Sequence, residues 1–228
     1  MSVLFRLTSK VASLAKSGRI ATARQVFDEM PNRDTVAWNT MLTSYSRLGL
    51  HQEAISMFTH LRFSDSKPDG YSFTAILSTC ASLRDVRFGT QIHSLVIRSS
   101  YGASLEVNNS LIDMYGNSGE FESGVDVFDE MPKRVVYAWN IMISGHAQCG
   151  KVESCLSLFR EMLLESECEP DCYTFSSLMN AACGGDTSNL VYGRVVHAVM
   201  VKSGWDSAVE AKNSVLSILE LCYRRVIR

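Results

Sequence analysis

Proline is scarce in this chain, with four in 228 residues. Pro31, Pro68, Pro132 and Pro170 all fall at joints between periodic stretches, where helices tolerate a residue that lacks a backbone donor. Acid is missing before Asp28, while Arg6, Lys10, Lys16, Arg19 and Arg24 stand among Ser, Thr and Ala. That composition suits a mitochondrial presequence. The same stretch places Leu7, Val11, Leu14, Ala23, Val26 and Phe27 in the apolar slots of later segments, so it also reads as the first of a series. Apolar runs of about 18 residues are absent, and no membrane span is expected. The seven cysteines form no C-x-x-C pair and no Cys/His cluster at zinc spacing. They read as small buried residues in a reducing compartment, and no cofactor is expected. A basic run is missing too, and the net charge is −2. On charge alone a protein partner is favoured slightly over a nucleic acid. An apolar content of 46% argues against disorder.

What the chain does have is a period. A small residue is followed four positions later by a ring at Ala23/Phe27, Ala54/Phe58, Gly89/His93, Gly124/Phe128, Cys155/Phe159 and Gly193/His197, except that two of the rings are imidazoles. The steps between the small residues are 31, 35, 35, 31 and 38. Spacing of this size marks a repeat array, in which each unit buries its apolar face against its neighbours. Within residues 35–69, Trp38, Met41, Leu42, Tyr45 and Leu48 share one helical face, and Ala54, Met57, Phe58 and Leu61 share another. Gly49 sits where a first helix should close. The expected unit is helix–turn–helix, and the expected fold is all-α, a right-handed α-solenoid. The units are 4–34, 35–69, 70–104, 105–135, 136–171 and 172–208, with an incomplete one at 209–228. Their order is short, type, long, short, type, long. His93 and His197 occupy the ring slot of second helices and read as core residues.

The segments "VAWNTMLTSYSRLGLHQEAISMF", "SLIDMYGNSGEFESGVDVFDEMP" and "FGTQIHSLVIRS" resemble the pentatricopeptide repeat family of land plants, in its mixed-length P-L-S subclass. The resemblance runs from Leu4 to about Ser217 and is specific, because three motif types recur in the family's fixed order. It implies single-stranded RNA as partner, bound one base per helical repeat in organelle RNA editing, splicing or processing. The fifth and last residues of a unit then read a base together. Carried over, the pairs are Thr8 with Asp34, Asn39 with Asp69, Asn109 with Val135, and Asn140 with Asp171. The long units offer Thr74 with Ser104 and Ser176 with Ala208, where the family's code is least dependable. Asn213 has no matching end. The second residue of each unit implies an apolar wedge between bases. Phe5, Val36, Tyr71, Tyr137 and Tyr173 fit, whereas Glu106 and Glu210 should weaken binding beside phosphate. Thr with Asp resembles a guanine reader and Asn with Asp a uracil reader. Asn109 without an acid implies a loose pyrimidine preference.

Read by position alone, Asp34, Asp69 and Asp171 stand just before a first helix, where aspartate is a good N-cap. A helical-repeat scaffold for protein partners stays open, as does a truncated product of reduced function. Editing or processing factors, and self-association through the incomplete last unit, are the further partners the reading admits. Some family members end in a zinc deaminase domain. This sequence does not carry that ligand set, and no catalysis is expected. The expected location is the mitochondrion, with the chloroplast as alternative.

Overall fold

Apolar residues at i, i+3, i+4 and i+7 give each segment one sticky face, and burying those faces in pairs drives the fold. In the computed structural model, residues 3–165, 168–184 and 190–202 are described. Twelve helices lie among them: α1 (Val3–Lys16), α2 (Ile20–Asp28), α3 (Thr35–Arg47), α4 (His51–Phe63), α5 (Gly70–Leu83) and α6 (Val86–Ile97), then α7 (Leu105–Ser118), α8 (Phe121–Glu130), α9 (Val136–Gln148), α10 (Val152–Leu164), α11 (Cys172–Gly184) and α12 (Leu190–Lys202). No strand occurs among the described residues. The all-α expectation holds. The expectations for the last segment, including Asn213, Glu210, Ala208 and self-association through residues 209–228, fall outside the described residues.

The chain divides into two compact parts after Met131. In the first, each even helix packs on the odd helix before it, and α1, α3, α5 and α7 pack side by side in one layer. In the second, α9 and α11 pack together in the same way, with α10 and α12 against them. Within each part, consecutive odd helices therefore meet directly, and residues near the N-terminus of one lie beside the start of the next.

The cores follow the predicted slots. Trp38, Met41 and Leu42 of α3 are buried, as are Ala54, Met57, Phe58 and Leu61 of α4. Phe27 meets Trp38 edge to face at 4.9 Å, a geometry that aromatic quadrupoles favour. Phe159 and Phe175 repeat that contact in the second part at 5.9 Å. Leu48 departs from the expected face: it lies past the end of α3 as its C-cap and is exposed. The ring slot at 93 also differs from a sealed core position. His93 is half-buried, and its Nδ1 lies 2.9 Å from the Tyr115 hydroxyl. His197 is likewise half-buried.

Turns between paired helices use the left-handed region at Gly18, Gly49, Gly119 and Gly150. Arg84 adopts it too, with φ of 53°, after α5. A side chain there costs about 1–2 kcal/mol relative to right-handed backbone. The small-residue slot is not equally strict. A Cβ on Gly89 would overlap the Met114 thioether, whereas one on Gly193 would meet only the Ala182 Cβ at 3.6 Å. Cys155 fills the same slot and is fully buried, its thiol donating to the Ile143 carbonyl at 3.4 Å. Burial pushes its pKa up to about 11 and that of Cys80 to about 12, so both are inert thiols.

Candidate nucleic-acid interface

In three places the layered odd helices bring the fifth residue of one unit to the N-cap of the odd helix that follows. Asp34, Asp69 and Asp171 each take a backbone N–H from the helix they precede. Ala37 donates to Asp34 Oδ1 at 2.8 Å, Ser72 to Asp69 Oδ1 at 2.9 Å and Thr174 to Asp171 Oδ1 at 3.0 Å. The carboxylates satisfy donors that a helix start leaves open, and their charge suits the positive end of the helix.

The same carboxylates also receive a side chain from the preceding odd helix. Thr8 Oγ1 lies 3.1 Å from Asp34 Oδ2 and 3.2 Å from Oδ1. Asn39 Nδ2 donates to Asp69 Oδ1 at 2.8 Å, and Asn140 Nδ2 to Asp171 Oδ1 at 2.9 Å. Capping and pairing are therefore two duties of one group, because a carboxylate offers about four lone pairs and a cap uses one.

A third side chain enters two of these sites. Ser72 Oγ donates to Asn39 Oδ1 at 2.5 Å, and Thr174 Oγ1 donates to Asn140 Oδ1 at 2.6 Å. Each hydroxyl in turn accepts the backbone N–H of its aspartate at 3.1 Å. Ser72 and Thr174 are fully buried. Sequence reading missed both. The signal was present as Asp-x-x-Ser in 69–72 and Asp-x-x-Thr in 171–174, the spacing of a capping box.

The remaining pairs differ. Asn109 sits on α7 with its Oδ1 buried and without a hydrogen-bond partner. In the register its counterparts of Asp69 and Ser72 are Val135 and Ala138, which have no polar side-chain atom. Thr74 and Ser104 spend their hydroxyls locally. Thr74 donates to the Tyr71 carbonyl at 3.0 Å, and Ser104 donates to Glu106 at 2.9 Å while capping α7 through the Val107 N–H. Ser176 is half-buried on α11.

Three residues before each of these fifth positions stands a candidate wedge. Phe5, Val36, Tyr71, Tyr137 and Tyr173 are 56–77% exposed, an unusual fate for large apolar side chains in one repeating register. Positions i and i+3 share a helix face, so each wedge flanks its fifth-position neighbour on that face. Glu106 takes the wedge position on α7 and is exposed. Hydrogen bonds from its own backbone N–H and from Ser104 hold its carboxyl below the ordinary range. That position stays anionic near neutral pH. The arrangement as a whole offers planar apolar surfaces next to paired donors and acceptors, and it holds no group of three or more His, Cys, Asp or Glu placed to bind a metal among the described residues.

Comparison with known proteins gives a consistent result. A model described as the PPR repeat family matches residues 33–82 and 134–184, and one described as PPR repeat matches 11–34 and 109–135. A pentatricopeptide repeat-containing protein of Arabidopsis thaliana designated mitochondrial is 69% identical over 95% of this chain, which covers 40% of that protein. Another from the same plant, designated chloroplastic, is 32% identical over 96% of this chain and 27% of its own length. The chain thus spans less than half of these relatives. Among solved structures, the maize pentatricopeptide repeat protein PPR10 aligns with 93% of this chain and 31% of its own, at a TM-score of 0.70 and 20% identity. The PPR domain of Arabidopsis thaliana protein-only RNase P 1, solved in complex with tRNA, aligns over 96% of this chain and 100% of its own, at 0.53 and 12%. Both likenesses concern the α-solenoid fold.

Proposed function

Because the chain belongs to the pentatricopeptide (PPR) repeat family, we propose that it binds single-stranded RNA sequence-specifically, one base per repeat, as a non-enzymatic adaptor in mitochondrial RNA metabolism. The observation that carries this reading is the hydrogen-bonded pair that joins the fifth residue of a unit to its last, three times over, each beside an exposed apolar side chain. The mitochondrial location agrees with the designation of the 69%-identical relative. The P-L-S unit order, and editing, splicing or processing as the task served, belong to the same proposal.

The donor and acceptor pattern supports specific bases. Thr8 has one hydroxyl proton, and Asp34 takes it. That pair then offers lone pairs alone, which suits the adjacent N1–H and N2–H donors of guanine. Adenine would set its N1 lone pair against them. At Asn39 and Asp69 one amide N–H goes to the carboxylate. The second N–H, and Asp69 Oδ2, have no partner among the described residues. A donor beside an acceptor matches a carbonyl oxygen and the N3–H of uracil. Cytosine would turn the N3 lone pair toward the carboxylate. The Asn140 and Asp171 pair has the same pattern. Asn109 has an amide without an acid, which supports a looser pyrimidine choice.

Taken in chain order the pairs give 5′-G-U-N-Y-U-N-3′, with the 5′ end toward Leu4. Selection from a random RNA pool tests this reading. Enrichment of that pattern, with affinity that falls as salt rises, is the expected result. An unrelated consensus would overturn the base assignments, and no enrichment at all would return the chain to the class of protein scaffolds.

A further inference from the structure

The buried hydroxyls of Ser72 and Thr174 have a role that their capping does not exhaust. Resting on the RNA-binding reading above, we infer that each is a positioning residue for base choice: Ser72 for the base read by Asn39 and Asp69, and Thr174 for the base read by Asn140 and Asp171. The base reader is then a triad, completed by the third residue of the following helix.

Proton counting carries the argument. A carboxylate only accepts, so the amide edge facing Asp69 must be the NH2 group. A flipped amide would set Oδ1 against the carboxylate oxygen. Ser72 Oγ accepts the Asp69 backbone N–H at 3.1 Å and has one proton left. Asn39 Oδ1 at 2.5 Å and Asp69 Oδ1 at 3.1 Å compete for it, and the shorter contact takes it. The amide of Asn39 is thereby pinned at both ends: Nδ2 by the acid and Oδ1 by the hydroxyl. One N–H is left to meet a base, and its direction is fixed. Thr174 repeats every one of these contacts around Asn140, at 2.6 Å to Oδ1 and 3.1 Å to the Asp171 N–H. Two independent sites built alike, from two different hydroxyl residues, point to the hydroxyl as the common requirement.

The contrast at Asn109 supports the same conclusion. Its Oδ1 is buried with no donor, and no hydroxyl stands at the corresponding position, Ala138. An amide without either pin can present its oxygen or its nitrogen. It can accept from the N4–H2 of cytosine as well as donate to the O4 of uracil. Discrimination between the two pyrimidines therefore divides the triads from the lone asparagine.

The test uses the whole chain and RNA oligonucleotides of the selected sequence that carry U or C at the base in question. Ser72→Ala is expected to reduce the U-over-C affinity ratio at the Asn39 base by about three- to tenfold, the range for loss of one hydrogen bond. Ser72→Thr is expected to restore it, and the ratio at the Asn140 base should not move in either variant. Thr174→Ala gives the mirror result, and it serves if Ser72→Ala fails to fold. A ratio unchanged in the alanine variants, or lost equally in Ser72→Thr, overturns the inference. A second readout needs no RNA. In the free protein the side-chain NH2 resonances of Asn39 should exchange with solvent faster in Ser72→Ala than in wild type, and unchanged exchange overturns the pinning. Wild type that binds no RNA at all defeats the RNA reading and the specificity role together, while the amide measurement still reports whether the pin exists.

Discussion

Asp69 carries two duties on one carboxylate, and substitutions can separate them. Its Oδ1 receives the Ser72 N–H that starts α5 and the amide of Asn39. Asp69→Ala removes both. Losing the cap costs about 1 kcal/mol, and leaving the half-buried Asn39 amide without its charged acceptor costs about 1.5 kcal/mol. The sum of about 2–3 kcal/mol corresponds to a fall in Tm of about 5–10 °C for a chain of this size. Asp69→Ser keeps an N-cap oxygen of nearly equal quality and forfeits the pair alone, so its Tm should fall by only about 3–6 °C. In RNA binding the two variants should look alike, since neither keeps the carboxylate Oδ2 that is assigned to the uracil N3–H. Thermal unfolding by circular dichroism, paired with fluorescence anisotropy on oligonucleotides varied at one base, reads both effects. If Asp69→Ser melts as early as Asp69→Ala, the capping estimate is wrong. If it still prefers uracil, Asp69 does not read the base.

Further outcomes follow from other positions. Asn140→Ser, which leaves a hydroxyl beside Asp171 as Thr8 stands beside Asp34, should move preference at one base from uracil toward guanine, with about 1–3 kcal/mol separating right from wrong base; an altered fold or unaltered choice would count against the pairing. Arg84→Gly should raise stability by about 1 kcal/mol by relieving the left-handed backbone at 84, read as a higher denaturant midpoint at unchanged slope. Gly89→Ala must displace the flexible but buried Met114 thioether, which offsets its gain of about 1 kcal/mol in helix propensity, whereas Gly193→Ala should be neutral or keep up to about 1 kcal/mol of that gain; a Gly89→Ala at least as stabilising as Gly193→Ala would refute the packing argument. Burial lowers the His93 pKa, so the unfolded chain binds its proton first, and stability falls as pH drops through the unfolded value of about 6.5. His93→Phe should flatten that part of the Tm profile between about pH 7 and 5.

Periodicity made the helices legible, because burial of one face is a constraint that every repeat must meet. Trp38, Ala54 and Phe58 announce themselves as core in this way. The pairs were harder. Position alone made Asp34, Asp69 and Asp171 look like caps, and the competing role came from family resemblance. A carboxylate has lone pairs enough to cap a helix and still pair with Thr8, Asn39 or Asn140. Ser72 and Thr174 escaped notice because a small hydroxyl residue in the first turn of a helix is ordinary, and its proton is assigned only when a neighbour 33 or 34 positions earlier is in place. The left-handed Arg84 left no mark either. It is the one described non-glycine residue with positive φ, and it holds a turn of the kind made by Gly18, Gly49, Gly119 and Gly150 elsewhere.

The triads straddle the joint between consecutive helix pairs. Asn39 and Asp69 would travel together if a unit were moved by recombination, but Ser72 would stay behind with the unit that follows. If the triads read bases as proposed, a transplanted repeat would inherit its base from its own two residues and its stringency from its new neighbour. Arrays assembled by shuffling, in evolution or in the laboratory, would keep their letters while changing how strictly each is read. A builder who wants uniform stringency would cut the chain after the first turn of each odd helix, beyond Ser72 or Thr174, so that every exchanged segment carries a whole reader.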